Sequence, residues 1–462
     1  MPVIEPCTIH QSARVAVLAV SLVLTLAVSA GSQPLPRVDG PLTMEQAVEL
    51  TRENSLRVKA SDADSRTMDS MRREALAPFW PQASGNGYFN DQRMAPNVYT
   101  SAGNTMARNY QVFNANQTRD ANLTMMYPLF SGGRDYYGYK AAVARADAAR
   151  HMLKGTELDV AMQARLDYIA VLRESENARV TGELVRDVEE RLRLAREMYE
   201  GGRTPRYYLL RDEAELANAV QMDTMARSRV DLALVSLKTT MGVDLASPIT
   251  LADKLEFTGA ALSIEEGIRQ ASEAHPDLKA AAKQREAAAA EVRAAYGNYF
   301  PQVSVGYMYD WAWMRNRMWD SQAEGLRSPA TSSGGYSVGV VVTLPIFDGF
   351  ARENALKTAK AKLDKAVQSE GLVLQQIAKE VHQAALMLAA AEKSVDASRK
   401  GVEQSDEEFR IIKERFGAGR VIQLEILDAQ VSLTRARFNA VAALADYNSA
   451  LAMWLKATGR VR

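Results

Sequence analysis

Apolar and polar residues alternate in several short stretches of this chain. In YSVGVVVTL, Tyr336, Val338, Val340, Val342 and Leu344 fall on one side, and Ser337, Gly339, Val341 and Thr343 on the other. Ala121, Leu123, Met125 and Tyr127 oppose Asp120, Asn122, Thr124 and Met126 with the same parity. Val303, Val305, Tyr307, Tyr309 and Trp311 likewise oppose Gln302, Ser304, Gly306, Met308 and Asp310. Period two marks a strand with one apolar face and one polar or small-residue face. The pattern predicts strands near 82–93, 118–130, 302–313 and 335–346. Runs of about ten such residues with aromatics near their ends suit a transmembrane β-strand. A soluble antiparallel sheet packed on a helix has the same periodicity.

The other pattern is helical and very long. No Pro occurs between Pro128 and Pro205, and none follows Pro345. Phe350 to Phe416 is about 67 residues, roughly 100 Å if helical throughout. Within it Val367, Leu374, Val381, Leu388, Val395, Val402, Phe409 and Phe416 recur every seven positions. Three residues after the first seven of these stand Glu370, Ile377, Ala384, Ala391, Ser398, Ser405 and Ile412, mostly small. Large knobs beside small neighbours at period seven predict close coiled-coil packing with a left-handed supercoil. The earlier stretch keeps a looser series, Ala164, Val171, Ala178, Val185, Leu192 and Tyr199. Gly155, Gly182, Gly371 and Gly401 lie inside these helices, where each costs about 1 kcal/mol relative to Ala; bends or tight contacts are expected there.

These elements occur twice. LTMEQAVELTRENSLRVKA from Leu42 matches LSIEEGIRQASEAHPDLKA from Leu262, and the same shift of 220 carries Pro81-Gln82 onto Pro301-Gln302. A shift of 217 then carries Pro128 onto Pro345, Gly132 onto Gly349, Gly202-Arg203 onto Gly419-Arg420 and Gly242 onto Gly459. Each half reads short helix (42–53, 262–274), Ala-rich helix (55–77, 277–297), two strands, long helix, Gly-containing turn, long helix. The expected organisation is a leader, 1–30, a linker, 31–41, a first repeat, 42–241, an inter-repeat segment, 242–261, and a second repeat, 262–462. In each half an alternating run meets Pro and Gly, at Pro128 and Gly132 or Pro345 and Gly349, and turns abruptly into a helix. A Pro there should stop the strand by removing a ladder donor, and the Gly should allow the turn.

Composition narrows the function. The chain has 462 residues with 56 Lys+Arg against 56 Asp+Glu, so no basic surplus points to nucleic acid. Arg14 precedes the apolar run VAVLAVSLVLTLAVSA, and Val28-Ser29-Ala30 offers a small-residue cleavage site. A run of about 15 residues falls short of the roughly 20 that span a bilayer, which favours a cleaved export signal over an anchor. Cys7 lies upstream of that run, so the mature chain is expected to lack Cys, disulfides and thiol chemistry. His151, His275 and His382 are widely separated, and no metal-ligand spacing, P-loop or nucleophile elbow occurs. Neither an enzyme nor a metal or cofactor is expected.

Four strands cannot close a barrel, and an open sheet in lipid would leave two edges of unpaired backbone groups. The chain must then assemble through its strands, and two, three or four copies give 8, 12 or 16. Here the sequence resembles the TolC-type outer-membrane efflux protein family. The resemblance runs from Leu42 to Gly459 and rests on the duplicated order, on YPLFSGGR and LPIFDGFAR, and on FGAGRVIQLEILDAQ. It implies an α+β membrane protein: a homotrimeric, 12-stranded transmembrane β-barrel, four strands per chain, continuing into a long α-helical coiled-coil barrel in the periplasm. It implies a passive exit duct in the outer membrane of a Gram-negative bacterium. The implied partners are outer-membrane lipid, a periplasmic adaptor (membrane fusion) protein and an inner-membrane transporter of RND, ABC or MFS type. The competing reading is a periplasmic coiled-coil structural or adaptor protein, which leaves the alternating strands unexplained.

The resemblance also assigns candidate sites. Gly201, Gly202, Arg203 and Thr204, with Gly417, Ala418, Gly419 and Arg420, become the far tips of the helical barrel, where family members meet the adaptor. Without it they read as Gly caps ending helices. Pro205, Arg206, Tyr207 and Tyr208 depart from the family's small apolar run at the first tip. Glu425 and Asp428, one helical turn apart, match positions where family members line the constricted entrance with acids. Otherwise they are a solvated helix face. Arg211, equivalent to Asp428 in the first half, could pair with a carboxylate to hold the tip shut.

Overall fold

The computed structural model describes residues 36–93, 115–259, 263–320, 325–327, 330–418 and 420–460. The expected leader 1–30 with Cys7, positions 31–35 of the linker 31–41, and Leu262 and Gly419 lie outside them.

The chain opens with strand β1 (Gly40–Leu42), helix α1 (Met44–Asn54) and helix α2 (Leu56–Glu74). Thr43 starts α1 with a capping box: its hydroxyl accepts from the Gln46 backbone N–H, and the Gln46 side chain accepts from the Thr43 N–H. Strands β2 (Gln82–Arg93) and β3 (Ala115–Phe130) follow, then helices α3 (Arg134–Glu200) and α4 (Arg206–Met241). Strand β4 (Ile249–Leu251) precedes α5 (Ile264–Ala274) and α6 (Pro276–Gly297). Strands β5 (Gln302–Asp320), β6 (Gly325–Arg327) and β7 (Ala330–Thr343) lead to α7 (Ala351–Gly417) and α8 (Gln423–Ala457). Helices α3 and α7 each have 67 residues, so each is about 100 Å long.

The long strands form one antiparallel sheet in the order β2-β3-β5-β7, with β6 on the outer end of β5. Its register aligns the alternation across strands. Leu123 pairs with Tyr309 and Tyr309 with Tyr336; Met125 pairs with Tyr307 and Tyr307 with Val338. The opposite face carries Asn86 and Asn122, whose side chains hydrogen-bond at 3.0 Å, with Thr124, Ser304 and Ser337. Strands β2 and β7 are the edges, and every residue of β7 is exposed. The strand expected over 335–346 ends at Thr343, because Pro345 lacks the ladder N–H and restricts Leu344 before it. Pro128 does not stop β3: the register shifts between Pro128 and Phe130 and the strand continues, so that expectation is corrected for the first junction.

The helices pack as two hairpins, α3 with α4 and α7 with α8. In α7, Val381, Leu388, Val395 and Phe409, with Ile377, Ala384 and Ala391, are buried against α8. Val367 and Leu374 of the same seam stay exposed in the single chain. In α3 the burial is fuller three residues past the expected seam, at Glu174, Thr181, Val188 and Ala195, while Tyr199 is exposed. Of the interior glycines, Gly155 is a tight contact, because a Cβ there would strike the Asp277 carboxylate of α6. Gly371 and Gly401 face open space within the chain.

Both expected linkers carry structure. Strand β1 pairs in parallel with β4, Gly40 opposite Ile249 and Leu42 opposite Leu251. The fully buried Tyr168 of α3 anchors them, its hydroxyl 2.8 Å from the Leu42 carbonyl and 3.0 Å from the Asp253 carboxylate. That carboxylate also accepts from the Met44 N–H at 2.7 Å, and burial pushes the phenol up to about 12. On the other hairpin the Tyr447 hydroxyl donates to the Thr258 carbonyl.

Candidate functional site

At the helix ends farthest from the sheet, both hairpins turn in the same way. The N–H of Arg203 donates to the Met198 carbonyl at 2.8 Å and that of Gly202 to Tyr199 at 2.9 Å. With Gly202 at φ +67° this is a Schellman cap, and only Gly adopts that backbone without strain. The second turn has the same six-to-one bond, Arg420 N–H to Arg415 O at 2.9 Å. Gly201, Arg203 and Gly417, Ala418 complete the two turns, and Thr204 leads into Pro205, which caps α4.

The tips are tied together by a residue the sequence reading missed. Gln423 is buried, and its amide donates to the Tyr208 carbonyl at 3.2 Å, joining the start of α8 to the start of α4. Tyr207 and Tyr208 stack beside it, their ring centres 4.2 Å apart.

Glu425 and Asp428 both lie on the exposed side of α8, with Leu424 and Val431, while Ile426, Leu427 and Gln430 face inward. Arg211 is also exposed, and the chain does not bring it into an ion pair among the described residues. The three expected pore residues are therefore solvent-facing at the tip end, and no ion pair joins them within one copy.

Just behind the tip lies a buried polar group. Arg191 of α3 donates to Asp212 of α4 at 2.9 Å and to the Gln430 side chain of α8, with Arg191 4% and Asp212 0% exposed. A buried ion pair is costly to break on one side, since the remaining charge is stranded. Its trace in the sequence was slight: Asp212, Ala219 and Ala226 are buried at seven-residue spacing, so Asp212 is a charge in a small-residue seam. Pairs nearer the surface link the hairpins nearby, Lys413 with Glu190 at 2.8 Å and Arg437 with Glu183 at 3.0 Å, while Arg437 also pairs within its own hairpin with Asp406 at 2.9 Å.

Among the described residues, no group of His, Cys, Asp and Glu is arranged to hold a metal ion. No helix among them is long and apolar enough to cross a membrane. The exposed apolar surface instead lies on the sheet and on helix faces that have no partner within the chain.

The sequence profile described as outer membrane efflux protein matches residues 47–243 and 267–460. Outer membrane efflux protein BepC of Brucella suis biovar 1 is 24% identical over 424 residues, covering 91% of this chain and 86% of BepC. Protein CyaE of Bordetella pertussis is 25% identical over 446 residues, covering 93% and 86%. Among solved structures, the Campylobacter jejuni CmeC outer membrane channel superposes with a TM-score of 0.74 at 16% identity, covering 90% of this chain and 85% of CmeC. VceC of Vibrio cholerae gives 0.71 at 17% identity, covering 90% and 96%.

Proposed function

The chain belongs to the outer membrane efflux protein family and is an exit duct through the outer membrane; we propose that it works as a homotrimer whose 12 strands close one barrel above a continuous helical tunnel. The observation that carries this is the four-stranded sheet with two free edges, β2 and β7. Unpaired edges in hydrocarbon cost several kcal/mol per backbone group, and pairing β7 of one copy with β2 of the next removes both.

The two halves, 42–241 and 262–462 joined through 242–261, are on this reading repeats of one unit, and the repeat says how copies meet. Within the chain α6 packs against α3. The equivalent contact for α7 calls for an α2, which the next copy supplies. Exposed apolar residues on both surfaces support this: Leu56, Met71 and Trp80 around α2, and Phe347, Phe350 and Leu372 around α7.

In this assembly the duct is passive. A periplasmic adaptor docks on the tips, Gly201 to Thr204 and Gly417 to Arg420, and an inner-membrane transporter of RND, ABC or MFS type drives the cargo. On this proposal Glu425 and Asp428 from three copies ring the entrance, and Arg211 pairs with a carboxylate to hold the tip shut. Supporting this, the carboxylates lie on the exposed side of α8 and the opposite side packs into the hairpin.

Membrane fractionation with electrophoresis tests the proposal. The protein should sediment with outer membrane and run as an SDS-resistant trimer that collapses to monomer on boiling. A soluble periplasmic monomer would support a coiled-coil spacer and defeat the duct.

A further inference from the structure

The outer end of the sheet carries charge on its apolar face. The side of β3 and β5 that holds Leu123, Met125, Tyr307 and Tyr309 continues to Arg119 and Arg315. Arg119 sits opposite Phe89 on β2 and Trp313 on β5. Its guanidinium lies 5.5 Å from the Phe89 ring centre and 4.9 Å from that of Trp313. Arg315 lies 5.3 Å from the same Trp313 ring. Among the described residues the contacts of these two guanidiniums are with rings and not with carboxylates. Asp91, on the same face, is engaged instead by the Gln117 amide at 3.2 Å.

Height along the barrel gives this cluster a meaning. Val303 to Trp313 is ten residues, about 34 Å along a strand at ~3.4 Å each. A tilt of about 40° makes that about 26 Å of height, close to the ~25 Å apolar band of such barrels. Tyr127 and Phe130 mark the lower edge of the band, and Phe89, Trp311 and Trp313 the upper edge. The two guanidiniums therefore stand where hydrocarbon gives way to headgroups. A charge on that face is tolerable if an anion meets it there. Guanidinium forks match phosphate oxygens in pairs, and ring contacts fix the orientation of the forks.

Resting on the barrel reading, we infer that Arg119 and Arg315, braced by Phe89 and Trp313, bind the phosphate groups of lipids in the outer leaflet, once per copy. The site pins the barrel vertically and collects a shell of phosphorylated lipid around its rim.

Native mass spectrometry of the trimer in neutral detergent tests this, using lipid A carrying two, one or no phosphates. Wild-type retention should fall with each phosphate removed, and millimolar inorganic phosphate should not displace the lipid. Arg119→Gln with Arg315→Gln should weaken binding of the diphosphorylated form about tenfold or more, as expected for two lost charge-assisted contacts. Equal retention of the phosphate-free form by wild type would overturn the inference, and so would unchanged retention in an assembled double variant. Should the double variant not assemble, the wild-type phosphate series decides alone. Val340→Arg probes the barrel reading separately: it lies inside the apolar band and should block insertion, whereas normal insertion would defeat that reading itself.

Discussion

A Cβ on Gly132 would run into the carbonyl oxygen of Gly297 and the Cβ of Phe300. The first strand-to-helix junction is thus seated on the end of α6, and its φ of +65° adds a second reason for glycine. The matching Gly349 has φ +67° but nothing within 4 Å of its Cβ position. By the shifts of 220 and 217, the seat it lacks corresponds to Ala77 and Trp80, which on the proposed trimer a neighbouring copy supplies.

That correspondence gives a covalent test. A Cβ on Gly297 would stand 3.0 Å from the Arg134 Cβ, and the two positions map to Ala77 and Ala351, both exposed in one chain. Ala77 already carries a Cβ, so the second junction must sit slightly farther apart than the first, toward the Cβ separation of about 3.5–4.5 Å that disulfides need, and Ala77→Cys with Ala351→Cys should cross-link neighbouring copies. In a Cys7→Ser background the expected result is a covalent trimer on non-reducing gels, with neither single variant linking. A fully reduced monomer under oxidant would reject this interface.

The Arg191–Asp212 pair predicts an asymmetry in stability. Asp212→Ala strands a buried guanidinium and should cost about 3–5 kcal/mol, read as an earlier unfolding transition of the helices by circular dichroism. Replacing both, with Arg191→Met and Asp212→Leu, should recover most of the loss. A double variant as unstable as the single one would show that packing, and not the stranded charge, sets the cost.

His275 gives the fold a pH limit. It is buried at the start of α6, where its Nδ1 accepts the Asp277 N–H at 3.3 Å. Burial pushes its imidazole below the ordinary value of 6.5; Asp277 and Glu380 pull it up, Lys456 pushes it down, and Asp159 pulls it up. The unfolded chain then binds a proton that the fold resists, so this contribution is present above about pH 6.5 and fades as pH falls. His275→Asn keeps a capping acceptor without a titratable ring. It should flatten the loss of thermal stability as pH falls below about 6.5, and an unchanged slope would assign that loss to other groups.

Much of this architecture is legible in the sequence because it is long and periodic. Three alternating strands with consistent parity and helices without Pro leave few alternatives, and the heptads from Ile377 to Phe409 name the α7–α8 contact directly. The β1–β4 pairing is not legible, since three residues are too few for periodicity and Leu42 and Leu251 are far apart in sequence. Tyr168 and Gln423 look like ordinary helical residues until the segments they hold are beside them. The Arg191, Asp212 and Gln430 group needs three helices to meet, which a pattern along one helix does not report. Pro128 misleads because a bulge accommodates it.

The last prediction concerns the entrance. Glu425 and Asp428 stand at i and i+3 on the exposed side of α8, so both side chains project the same way. Three copies facing a common axis would gather six carboxylates in a narrow ring, raising the local concentration of cations and favouring multivalent ones. Glu425→Ala with Asp428→Ala should therefore weaken cation selectivity and block by divalent ions in planar-bilayer recordings. The native effect should shrink with salt, because screening shortens its reach to about 3 Å at 1 M. If the pair faced outward, neither property would change. Unaltered selectivity and block, with the trimer and its helicity intact, would remove both residues from the pore.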